Sequence, residues 1–143
     1  MGKKIIITGG IGYIGTELCK IYSGVSRNNK IIVFDNRFFS ERINQLRNWG
    51  IDFIHGDILD KELVKKHFSD ADIIHHLAGV TDVPRVKSES GDDKDTKIKL
   101  VGEKGTENIF EHFFVCVYVL AFFEHFSRSH EQNEPHQAVC WVC

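Results

Sequence analysis

Thr8-Gly9-Gly10-Ile11-Gly12-Tyr13-Ile14-Gly15 is the stretch on which the reading of this chain turns. Before it lies Lys4-Ile5-Ile6-Ile7-Thr8, a short β-branched run that reads as a strand buried on both faces. After it, Ile14, Leu18, Ile21 and Tyr22 recur at helical spacing, and Gly24 is expected to close that helix. A strand, a glycine loop and a helix in direct succession make an anion site. Gly9 lets the chain turn sharply off the strand, and Gly12 lets the backbone approach a pyrophosphate where a Cβ would collide. Gly15 lets the helix pack close on the sheet. The free N–H groups and positive dipole end of the helix then face the phosphates, with Tyr13 and Ile14 completing the loop. The competing reading is a tight turn with no ligand.

The rest of the chain continues the alternation. Ile31 to Phe34 reads as a second buried strand ending on Asp35. Ser40 is placed to cap a helix carrying Ile43, Leu46 and Arg47, with Gly50 just past its end. Ile51 to Ile54 is a third strand, and Asp60 caps a helix with Leu63, Val64, His67 and Phe68. Asp72 to Leu77 is a fourth strand, Val80 to Asp93 a polar loop, and Asp95 to His112 a further helix. This predicts an α/β, Rossmann-type doubly wound parallel sheet in the order 3-2-1-4, with Phe113 to Leu120 as a fifth strand. Asp35 lies twenty residues beyond Gly15, at the end of the second strand, where a carboxylate accepts hydrogen bonds from an adenosine ribose. A carboxylate there repels a 2′-phosphate, so NAD is expected over NADP. Arg37 is read as a surface charge. The string Gly-x-x-x-x-Gly-Lys-Ser/Thr is absent, which excludes a P-loop NTPase.

Composition narrows the classes further. Lys and Arg number 18 against 20 Asp and Glu, so no basic excess exists to hold nucleic acid or an anionic membrane. The longest apolar run, Phe113 to Phe123, has eleven residues, where a membrane-spanning helix needs about twenty. Four unevenly placed Cys suit a reducing compartment, and a cytoplasmic location is expected. All twelve Lys lie at or before Lys104, although an even density would put about four or five beyond it. Three of the four Cys and six of the eleven Phe follow residue 109. The chain therefore divides into a dinucleotide-binding domain at 1–112 and a divergent hydrophobic, Cys-rich tail at 113–143. Cys140-Trp141-Val142-Cys143, with His130 and His136, matches no zinc pattern; no metal site is expected. Exposed Phe in the tail would favour self-association. Of His75 and His76, one is expected to face the core and hydrogen-bond there.

Five motifs in order carry a resemblance. They are Thr8-Gly9-Gly10-x-Gly12-x-x-Gly15, Val33-Phe34-Asp35-Asn36, Gly56-Asp57-Ile58, His76-Leu77-Ala78-Gly79 and Gly105-Thr106-Glu107-Asn108-Ile109. Over residues 3 to 112 the chain resembles the extended short-chain dehydrogenase/reductase family, and within it the NAD-dependent nucleotide-sugar epimerases and dehydratases. The resemblance implies that Asp35 and Asn36 hold the adenosine ribose. Asp57, with the Ile58 backbone beside it, would bind the adenine amino group, and Leu77, Ala78 and Gly79 would line the cofactor. It also implies a Tyr-x-x-x-Lys acid/base pair, which is missing. The residues four beyond Tyr13, Tyr22 and Tyr118 are Glu17, Ser26 and Phe122. Thr81 and Asp82 fall where the family meets substrate but do not replace the pair. The expectation is an NAD-binding portion of such an enzyme, catalytically incomplete as a truncated or frame-altered product. The alternative is a non-catalytic NAD-binding or sensing module.

Overall fold

The computed structural model describes residues 2–25, 28–80, 96 and 98–111. Four strands form one parallel sheet: β1 (Lys4–Thr8), β2 (Lys30–Asp35), β3 (Asp52–His55) and β4 (Ile73–His76), in the order β3-β2-β1-β4. Three helices link them: α1 (Tyr13–Val25), α2 (Ser40–Asn48) and α3 (Lys61–Phe68). After β4 a π-helical segment, Leu100–Gly105, runs directly into α4 (Thr106–Glu111).

The strands read as unbroken apolar runs because both faces of the sheet are covered. Ile6, Ile32, Phe34 and Ile74 point to one side and pack with Ile58, Val64, Phe68 and Ile109. Ile5, Ile7, Ile31 and Val33 point to the other, against Ile11, Cys19, Leu46 and Ile51. The order and the parallel pairing are as expected from the sequence, and β1 is central.

Several boundaries differ. The buried face of α1 carries Gly15 and Cys19, with Leu18 and Tyr22 packed partly against the core, whereas Ile14 and Ile21 are exposed. Gly24 lies within α1 rather than ending it. The cap of α2 is Phe39, with no side-chain bond, so Ser40 is the first helical residue instead of the cap. Ile51 stays out of β3 because its N–H closes the end of α2 on the Leu46 carbonyl. Asp60 caps α3 as expected, its Oδ1 accepting from the Leu63 N–H at 3.0 Å. The proposed fifth strand, the polar loop beyond Val80, Thr81, Asp82 and the tail with its histidine and cysteine cluster lie outside the described residues. Among the described residues no helix is long and apolar enough to cross a membrane.

Candidate dinucleotide-binding site

At the carboxyl end of β1 the chain turns through Gly9, whose φ of +66° favours glycine. The turn is tight against two neighbouring strands. Gly9 N–H donates to the Phe34 carbonyl at 2.9 Å, and a Cβ on Gly9 would lie 2.8 Å from Leu77 and Ala78 backbone atoms. Gly12 N–H returns to the Gly9 carbonyl at 2.9 Å, and the Gly12 carbonyl receives both the backbone N–H and the hydroxyl of Thr16. A Cβ built on Gly15 would meet Gly9 and Gly10 backbone at 2.6 Å, so α1 sits directly on the loop. A Cβ on Gly12 meets only the Gly9 carbonyl at 3.0 Å and an Arg37 guanidinium nitrogen at 3.3 Å. That position is open outward, the shape a pyrophosphate cradle requires. Tyr13 and Ile14 follow with exposed side chains, leaving their backbone at the helix start.

The β2 end supplies the acidic side of the site. Asp35 is buried, and its carboxylate is shared. Oδ2 accepts from the Ile11 N–H at 3.2 Å, and Oδ1 accepts from the Arg37 N–H at 3.0 Å and Arg37 Nε at 3.4 Å. Arg42 grips the same loop from α2, donating from Nη1 to the Ile11 carbonyl. Ile11 is thus held through both of its backbone polar groups. Arg37 is more than the surface charge expected: it is half-exposed, but it pairs with Asp35 and overhangs Gly12.

Asn36 and Asp57 come together, with Asn36 Nδ2 donating to Asp57 Oδ2 at 3.1 Å. His55 Nε2 lies 3.0 Å from the Asn36 carbonyl, and Asp57 Oδ1 accepts from the Leu59 N–H. The Ile58 side chain is core, and its carbonyl accepts from Asn108 Nδ2 of α4 at 3.0 Å. Gly9, Gly12, Gly15, Asp35, Asn36 and Asp57 therefore converge over the carboxyl ends of β1, β2 and β3. Leu77 and Ala78 join them through Gly9, and Gly79 follows with no atom near its Cβ position.

One part of this neighbourhood has no counterpart in the sequence reading. Thr8 Oγ1 accepts from the Leu77 and Ala78 N–H groups, each at 3.1 Å, and lies 2.8 Å from His76 Nδ1. His76 Nε2 lies 3.0 Å from Thr106 Oγ1, and the Thr106 hydroxyl donates to the Gly102 carbonyl at 2.5 Å. Burial pushes the His76 pKa down to about 4. His75, on the opposite face, shares a 2.7 Å hydrogen bond between its Nε2 and Tyr22 Oη, and its Nδ1 is buried without a partner. Burial lowers the His75 pKa and raises that of Tyr22. Both histidines are thus core residues, where one was expected. Among the described residues no three His, Cys, Asp or Glu side chains are grouped to hold a metal ion.

The sequence model of the 3-beta hydroxysteroid dehydrogenase/isomerase family matches residues 6–123. The dTDP-D-glucose 4,6-dehydratase of Dictyostelium discoideum is 39% identical over 87 residues, 57% of this chain and 20% of the relative. Among solved structures, the epimerase Mth375 of Methanothermobacter thermautotrophicus aligns at a TM-score of 0.62 and 30% identity, over 78% of this chain and 31% of its own. The UDP-glucose 4-epimerase of Thermus thermophilus, solved in complex with NAD, shares the fold at a TM-score of 0.60 and 24% identity, over 76% of this chain and 33% of its own. The chain spans about a fifth to a quarter of the length of the curated relatives it matches. The family match runs past residue 112, so the apolar run 113–120 falls inside it.

Proposed function

Because the chain belongs to the 3-beta hydroxysteroid dehydrogenase/isomerase family of extended short-chain dehydrogenases/reductases, we propose that it is the NAD-binding portion of a nucleotide-sugar epimerase or dehydratase. The observation that carries this reading is the glycine loop, pinned by Asp35 and open above Gly12, with Asn36 and Asp57 beside it. The names of the relatives favour a nucleotide sugar over the steroid in the family's description.

The residues present fit the dinucleotide. The loop and the start of α1 offer backbone N–H groups to the pyrophosphate. Asp35 keeps a lone pair for ribose hydroxyls after its three contacts, and its charge disfavours a 2′-phosphate, an effect that Arg37 partly offsets. Asn36 and Asp57 close the adenine end, and the Leu77–Gly79 backbone borders the other half. When bound, NAD supplies a hydride acceptor that oxidises a sugar carbon and later returns the hydride. Calorimetry should show NAD(H) bound more tightly than NADP(H). Asp35→Ala should weaken both, because the Ile11 anchor is lost, and should lower the NAD/NADP preference by about tenfold, the worth of one charge-assisted bond. Equal affinities in the unmutated chain would overturn the role given to Asp35.

The missing Tyr-x-x-x-Lys pair bears on catalysis. With Lys four residues after Tyr, one helix face presents both groups, and the ammonium lowers the phenol pKa so that it moves a proton near neutral pH. Of the tyrosines among the described residues, burial raises the pKa of Tyr22, and Tyr13 stands on the cofactor loop. Purified 143-residue chain incubated with NAD and UDP-, GDP- and dTDP-sugars should give no epimer, 4-keto product or NADH. General acid–base help is worth about 10²–10⁴-fold and substrate positioning more. Robust turnover would place the proton-transfer group elsewhere in the sequence. Thr81, Asp82 and the Phe-rich tail stay proposals for substrate contact and self-association.

A further inference from the structure

We propose that Thr106, at the junction of the π-helical segment and α4, is a positioning residue for the dinucleotide site, acting through His76 and Thr8. The inference rests on the NAD-binding reading above and deepens it. The direction of each hydrogen bond follows from counting donors. Thr8 Oγ1 accepts from the Leu77 and Ala78 N–H groups, which fills both its lone pairs. Its own proton therefore goes to His76 Nδ1, 2.8 Å away. His76 must then carry its proton on Nε2 and donate it to Thr106 Oγ1 at 3.0 Å. Thr106 can accept because its hydroxyl proton is committed to the Gly102 carbonyl at 2.5 Å. The π-helical segment favours this commitment: the Thr106 N–H donates to the Glu103 carbonyl, leaving the hydroxyl to reach Gly102.

The chain of bonds has one direction and ends at the site. It starts on the carbonyl of Gly102 and stops at two backbone N–H groups of the Leu77–Ala78 segment. A Cβ on Gly9 would lie 2.8 Å from backbone atoms of that segment. Thr106 fixes the tautomer jointly with Thr8: without its hydroxyl the Nε2–H of His76 has no acceptor, and only Thr8 still favours a proton on Nε2. With the proton on Nδ1, His76 and Thr8 would face each other as two donors, and Thr8 would rotate away from Leu77 and Ala78. The border of the glycine loop would then lose both bonds to the Thr8 hydroxyl and keep only the Leu77 N–H on the Thr8 carbonyl at 3.2 Å.

The test uses the full chain, NADH fluorescence titration, thermal melts and nitrogen-15 NMR of the histidine rings. Thr106→Val should weaken NADH binding about tenfold, the size of one lost hydrogen bond, and should populate the Nδ1–H form of His76. Thr106→Ser keeps the hydroxyl and should restore both affinity and ring spectrum. A merely structural role for Thr106 would lower the melting temperature of the valine variant and leave its NADH affinity unchanged; that result overturns the proposal. A proton on Nδ1 of His76 in the unmutated chain also overturns it, whether or not the valine variant folds. Failure of the unmutated chain to bind NADH would instead strike at the dinucleotide reading, and the ring spectrum separates the two.

Discussion

Gly12→Val should abolish NADH binding, with a loss of more than about a hundredfold, while the chain stays folded. The reason is local. The position faces outward over the loop, and a Cβ there comes within 3.0 Å of the Gly9 carbonyl and 3.3 Å of Arg37. Arg37 is long and half-exposed and can swing aside, and the Gly9 carbonyl need give by only a few tenths of an ångström, so the fold survives with some loss of stability. A pyrophosphate cannot give way, because it must sit at hydrogen-bond distance from the loop N–H groups, where the branched side chain now stands. Two lost charge-assisted bonds of about 1.5–3 kcal/mol each account for the size of the effect. Fluorescence titration measures the affinity, and circular dichroism checks the fold. Unchanged NADH binding by a folded Gly12→Val protein would move the phosphates off this loop.

A second large effect concerns acid. His76 titrates near 6.5 when unfolded and at about 4 in the folded chain, where burial disfavours its charged form. Between those values the unfolded state binds more protons, so stability falls as pH drops from 6.5 towards 4 and this contribution is flat outside that window. A shift of this size corresponds to about 3 kcal/mol across the window. His75, also lowered by burial, acts in the same sense. Urea denaturation from about pH 4 to 7 should show the slope, and His76→Asn, which keeps an acceptor for Thr8 but does not titrate, should flatten it. An equal slope in both proteins would assign the acid sensitivity to other groups.

The strands are legible in the sequence because burial on both faces leaves a signature that local reading detects, and Ile5–Ile7 and Ile31–Phe34 carry it. The facing of α1 is not, when the rule applied to it favours large apolar residues. Gly15 seats α1 on the glycine loop, and the helical partners of that position, Leu18, Cys19 and Tyr22, are the ones that pack; Ile14 and Ile21 lie at the exposed edge of that face. Asp35, Asn36 and Asp57 are legible from motif and resemblance, and they do converge. The bridge through Thr8, His76 and Thr106 is hidden, because its members lie 68 and 30 residues apart in sequence and meet only once β1, β4 and α4 are assembled. Arg37 and Arg42 escape local reading for a similar reason: an arginine reads as a solvated charge until the backbone carbonyl or carboxylate it reaches is known.

The clamped Ile11 backbone has a kinetic meaning. Asp35 holds its N–H and Arg42 its carbonyl, so the loop is already set in its binding shape by interactions made on folding. A ligand arriving there has little chain to order, and most of the entropy of fixing a glycine-rich segment has been met beforehand. Association should then run as a single encounter step whose rate scales with ligand concentration, with no slow closing phase behind it.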